Sequence, residues 1–215
     1  MTHSATVIFL HGLGDTGHGW APVMRMLSRT FPFIKWILPT APHRHVTLNM
    51  GTRMPAWYDI LSLDEKDERE DEVGLLQTRG FLIDLIKKES EEVPSSRIVL
   101  GGFSQGAAVS LLAGLTGEHG LAGIISLSGY LPLRPKFGSL LTTKSVPIFM
   151  GHGTADFVVR YKWGKDSAGW LKEAGCTAVQ FHTYENLEHS CNDLELEDIR
   201  EFLSSCLQSR KAKEL

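Results

Sequence analysis

Ile98-Val-Leu-Gly-Gly-Phe-Ser-Gln-Gly-Ala-Ala108 decides how the rest of the chain is read. Ile98–Leu100 is a short apolar, β-branched run, and Gln105 to Leu115 is small and apolar nearly all round, as in a helix packed centrally. Between them, Gly-Phe-Ser-Gln-Gly at residues 102 to 106 makes a tight turn. Strand, turn and helix in that order are the context in which Gly-x-Ser-x-Gly acquires a chemical meaning. The reason is steric: Ser104 takes a strained backbone that lifts its hydroxyl above the sheet, and Gly102 and Gly106 lack the Cβ that would strike neighbouring strand and helix. The helix starts beneath the serine, so its free N–H groups favour a developing oxyanion. The plain alternative is a strand-to-helix turn that happens to contain serine.

Outward from this turn, apolar runs alternate with stretches of helical period. Thr6–Leu10, Trp36–Leu38, Ile98–Leu100, Gly123–Leu127, Val146–Met150 and Val179–Tyr184 read as strands, several apolar on successive residues as if buried on both faces. Helical faces run from about Glu72 to Glu89, through Gln105–Leu115, around Asp166, and through Ile199, Phe202, Leu203, Cys206 and Leu207. The alternation implies an α/β protein, a mostly parallel central sheet with helices on both faces. Residues 39 to 58 hold three prolines and no helical period, so a long loop or short hairpin excursion is expected there. Asp64 to Glu72 is charged at every position and reads as a solvated loop entering the next helix.

The chain has 215 residues, the size of one domain spanning 1–215. Its net charge of −3, with no basic stripe, argues against a nucleic-acid partner. Three widely spaced cysteines make no disulfide framework and favour a reducing, cytoplasmic setting. Met1-Thr2-His3-Ser4 leads almost directly into a strand, so neither a secretory signal nor a membrane span is expected. A monomer or weak dimer is expected.

A serine hydroxyl needs a base, and the base an orienting acid, in the chain order Ser, Asp or Glu, His. Asp156 follows the strand Val146–Met150 in a Gly-containing turn and is the first choice of acid; Glu185 lies too near the histidine loop, and Asp166 falls within a helix. His189 sits between the last strand and last helix and is the expected base. His182 lies inside a strand, His152 is read as a turn residue beside Asp156, and His11 as shaping the turn after the first strand. His43 and His45 lack a third ligand, so no metal is expected. The loop Phe9-Leu-His-Gly-Leu-Gly-Asp-Thr-Gly-His-Gly-Trp20 follows the first strand, and the N–H groups of Leu13 and Gln105 are the expected oxyanion donors. A dinucleotide reading of that loop is weak, because no acidic residue ends the second strand. These features together point to a serine hydrolase that needs no metal or organic cofactor.

The first loop, Pro39-Thr-Ala-Pro42, Met54-Pro-Ala-Trp-Tyr-Asp59 and Leu100–Gly106 resemble the acyl-protein thioesterases, a lysophospholipase- and carboxylesterase-like family with the α/β-hydrolase fold. The resemblance covers nearly the whole chain. It implies Ser104, Asp156 and His189 as the triad, with Leu13 and Gln105 as oxyanion donors. It also implies hydrolysis of palmitoyl thioesters on S-acylated proteins, and often of lysophospholipids and short esters. Trp57, Leu61, Leu63, Phe157 and Val158 flank the catalytic loops and are the expected acyl-binding residues. The excursion from Val46 to Met54 looks like the hairpin with which this family touches membranes, so transient membrane association is expected. Two departures stand out: no N-terminal cysteine for self-anchoring, and Phe157 where the family commonly has proline.

Overall fold

The computed structural model describes residues 3–64 and 69–207. In chain order its elements are β1 (Ala5–Leu10), α1 (Gly17–Thr30), β2 (Ile34–Ile37), β3 (His43–Val46) and β4 (Thr52–Pro55), then α2 (Glu72–Glu89), β5 (Ile98–Phe103), α3 (Gln105–Thr116) and β6 (Gly123–Leu127). There follow α4 (Arg134–Leu140), β7 (Ile148–Gly153), α5 (Tyr161–Glu173), β8 (Val179–Tyr184) and α6 (Asp193–Cys206). Six strands form one sheet in the order β2-β1-β5-β6-β7-β8, and every adjacent pair is parallel.

The successive apolar residues of the strands face two cores. Ile8, Leu100 and Ile148 point toward Leu75 and Leu82 of α2, Leu111 of α3 and Leu171 of α5. Val7, Val99 and Phe149 point the other way, toward Leu27 of α1 and Ile199 and Phe202 of α6. With helices on both sides, the strands have no polar face to present to water, which is why their sequences do not alternate.

The structure departs from the sequence expectation in several places. No helix was expected over Gly17–Thr30, because glycines crowd its start and Pro22 lies inside it. Trp20, Val23, Met24 and Leu27 nevertheless keep helical spacing and cover the second core. The short helix α4 was also not expected. β5 and β7 run past their expected ends, to Phe103 and Gly153, placing His152 inside a strand. The 39–58 excursion contains an antiparallel hairpin, β3 against β4. Of the charged run, residues 65–68 lie outside the described residues, but its end is not simply solvated. Asp71 caps α2 by accepting from Gly74 N–H and also accepts from Asp59 N–H, and Glu70 accepts from Leu133 N–H at 2.8 Å.

Candidate active site

The chain runs outward from β1 to β2, then crosses back to β5 on the other side of β1. That reversal opens a crevice at the carboxyl ends of β1 and β5, the usual ligand position in open parallel sheets. Loops leaving β1, β5, β7 and β8 converge there, bringing Ser104 against His189, 85 residues further along the chain.

Ser104 joins β5 to α3 with φ 56° and ψ −119°, a conformation unfavourable for any residue with a Cβ. Its N–H is held by Leu127 O at 2.8 Å. The flanking glycines permit the turn. A Cβ on Gly102 would lie 2.4 Å from the carbonyl carbon of Gly106, and one on Gly106 would lie 2.4 Å from Leu10 O. His189 Nε2 stands 2.9 Å from Ser104 Oγ, and His189 Nδ1 stands 2.7 Å from Asp156 Oδ2. An ionised Asp156 requires the proton on Nδ1, which leaves Nε2 to accept from the serine hydroxyl. The imidazole also packs against the Phe103 ring, centroids 4.7 Å apart.

Asp156 is buried, and burial alone would raise its pKa. Hydrogen bonding from His152 and His189, the charge of His189 and the Val158 N–H outweigh burial and hold the carboxyl well below the usual range. Its Oδ1 accepts from the N–H groups of Val158 and Val159, at 3.0 and 2.9 Å. His152 is therefore more than a turn residue. It is buried, with Nε2 2.7 Å from Val159 O and 3.4 Å from Asp156 Oδ2, bracing the acid's loop.

The β1 loop approaches the serine closely, since a Cβ on Gly12 would sit 3.4 Å from Ser104 Cβ. Among the described residues, the N–H groups of Leu13 and Gln105 donate to no protein acceptor. The Gln105 side chain is a strut: Oε1 accepts from Trp57 N–H at 2.8 Å and Nε2 donates to Tyr58 O at 2.7 Å. The Trp57 indole donates to His11 O at 2.8 Å. His11 Nε2 accepts from Ala41 N–H at 3.0 Å, so Nδ1 carries the proton and donates to Gly12 O at 2.7 Å. Burial pushes the His11 pKa down and keeps the ring neutral in this role.

The crevice widens into a cavity of about 510 Å³ lined by Leu13, Trp20, Val23, Leu63, Phe103 and Val158 around Ser104. Of the expected acyl-binding residues, Leu63 and Val158 line this cavity. Leu61 lines a neighbouring cavity of about 790 Å³. Trp57 is not in either wall: it is 1% exposed, and its polar atoms are committed behind the β1 loop. Phe157 is 86% exposed and lines neither cavity, because the Asp156 turn directs it to solvent. Trp20, Val23 and Phe103 were not expected in the wall. The helical spacing of Trp20 and Val23 in α1 was the available signal.

Residues 1–207 match the family model described as phospholipase/carboxylesterase. The chain is 48% identical to acyl-protein thioesterase 1 of Neurospora crassa over 216 residues, covering 95% of this chain and 88% of that one. It is 44% identical to acyl-protein thioesterase 1 of Cryptococcus neoformans over 223 residues, covering 96% and 94%. The crystal structure of Zea mays acyl-protein thioesterase 2 superposes with a TM-score of 0.87 at 32% identity, covering 96% of this chain and 95% of that one.

Proposed function

The chain belongs to the phospholipase/carboxylesterase family of α/β hydrolases, and from that premise we propose that it hydrolyses fatty-acyl thioesters, removing palmitate from S-acylated proteins. The observation that carries this reading is the line Ser104 Oγ, His189, Asp156, opening into an apolar cavity. Ser104 attacks the acyl carbonyl as His189 takes its proton, and Asp156 steadies the imidazolium. The N–H groups of Leu13 and Gln105 receive the oxyanion. The Ser–O–acyl bond forms, the C–S bond breaks, and His189 returns the proton to the leaving thiolate. Water, deprotonated by the same His189, then releases the fatty acid and restores the serine. The acyl chain lies against Leu63, Val158 and the unexpected Trp20 and Val23, each buried CH₂ contributing about 0.8 kcal/mol.

Reactivity toward a fluorophosphonate probe tests the nucleophile: labelling of the wild type and none of Ser104→Ala is expected. Equal labelling of both proteins would sink the assignment. A lysophospholipase or carboxylesterase reading shares every catalytic group and is favoured by the description of the family model. Matched thioester and oxyester substrates of several chain lengths separate the two. Among the described residues no helix is long and apolar enough to cross a membrane. We propose that the enzyme meets membrane-bound substrate through transient contact, for which the exposed Leu48 and Met50 of the hairpin are suited.

A further inference from the structure

Two cavities meet at a wall made of Tyr58, Ile60, Leu63 and Tyr130, since these four residues line both the 510 Å³ cavity around Ser104 and the 790 Å³ cavity beside it. Ile60 and Leu63 contribute hydrocarbon. The polar tie across the wall is the contact between the two phenols, Tyr58 Oη to Tyr130 Oη, at 2.7 Å. We infer that this bridge is a latch between an acyl pocket and an overflow chamber, and that it sets the chain length the enzyme prefers. The inference rests on the proposed hydrolysis of fatty-acyl esters.

The two sides of the latch differ in freedom. Tyr58 is 2% exposed, and its backbone carbonyl is tied by Gln105 Nε2, so its hydroxyl is a fixed post. Tyr130 follows β6, is only partly buried, and packs edge-on against Trp163, with centroids 6.3 Å apart at 67°. Trp163, Trp170, Leu61 and Leu131 line the chamber beyond and offer a long acyl tail apolar surface, alongside the charged Asp59, Asp71 and Arg134. The chamber adjoins the serine pocket at the shared wall, so an acyl chain that outgrows the pocket meets it there. Burial pushes both phenols upward, so the bridge is neutral throughout the working pH range. One phenol donates to the other, and an alkyl chain passing between them offers neither a partner. Short chains end before the latch; long chains must break it, losing a bond that hydrocarbon does not replace.

Removing both hydroxyls while keeping both rings isolates this cost. In Tyr58→Phe/Tyr130→Phe, the ratio of kcat/KM for a C16 thioester to that for a C6 thioester is expected to rise roughly tenfold over the wild type, the factor set by one buried hydrogen bond. Each single variant already lacks the phenol–phenol bond, so its ratio should rise about as far as that of the double variant. A ratio that is unchanged or lower in the double variant overturns the latch. Binding of hexadecanoate and octanoate to Ser104→Ala, with and without the two Phe substitutions, reads the same selectivity without turnover. If the wild type cleaves no acyl ester, the proposed function fails, while an unchanged C16 to C8 binding ratio overturns the latch separately.

Discussion

Ser104 sits at φ 56°, and backbone strain of this kind typically costs about 1–3 kcal/mol. That cost belongs to function, because the same geometry presents the hydroxyl to His189. Ser104→Gly and Ser104→Ala should both abolish turnover, but only glycine relaxes the turn. The glycine variant is expected to be more stable than the alanine variant by about 1 kcal/mol, measured by urea denaturation. Equal stabilities would mean the turn is unstrained. At this scale the geometry was legible: Ser104, Asp156 and His189, singled out by chain order and loop position, lie in series within hydrogen-bond reach. Trp57 and Phe157 were misplaced for a common reason. Adjacency to a site loop does not say which way a side chain leaves the backbone, and one points into the core, the other into water.

The β3–β4 hairpin is the element most at odds with a purely structural role. At its tip Met50 takes φ 54° and is 97% exposed, followed by Gly51 at φ 72°. Leu48, 39% exposed, sits on the hairpin and also lines the cavity around Ser104, linking the tip to the entrance of the site. Two apolar side chains held out in water beside the Ser104 cavity suit the proposed contact with a bilayer. Leu48→Asp/Met50→Asp should lower partitioning onto phospholipid vesicles at least about tenfold, read by co-sedimentation; binding equal to the wild type would remove the hairpin from this role. The sequence left the excursion open between a loop and a hairpin, with only the family resemblance favouring the hairpin, since alternating His, Arg and Val with an intervening short helical turn gives no clear period. Helix α1 escaped for the opposite reason: its period was present, but glycine and proline at its start outweigh it in any local reading.

Across the whole molecule, α6 closes one core and carries a carboxylate into it. Glu195 is fully buried, its carboxyl faces the Cys191 thiol, and it lies against Gly151 of β7. The groups around it are His152 of β7, Tyr184 of β8, Cys191 in the preceding loop and Asp198 on α6. Burial raises its pKa from 4.5 to about 7. The folded protein then holds this proton more tightly than the unfolded chain. Its stabilising contribution is full below about pH 4.5 and is lost as pH rises through about 7. Asp156 acts with the opposite sign, losing stability as pH falls below its ordinary value near 3.8. Between about pH 5 and about pH 8 the Tm of the wild type should therefore fall relative to that of Glu195→Gln. Parallel Tm–pH curves for the two proteins would show that Glu195 does not titrate in this range.

What the sequence determined by itself was local and ordered along the chain: apolar runs too continuous for a one-sided sheet, a glycine-flanked serine between strand and helix, and an acid and a histidine each in a loop after a late strand. Such features follow from sterics and periodicity within a few residues, so they are written in consecutive letters. Tertiary structure alone decided what lies across the sheet from what. It set His152 and the Val159 amide against Asp156, routed Trp57 through His11 and Gln105 behind the β1 loop, and brought the phenols of Tyr58 and Tyr130, 72 residues apart, to within 2.7 Å. Those contacts depend on strand order and on the direction each side chain takes from its loop, and neither has a period that a sequence can display.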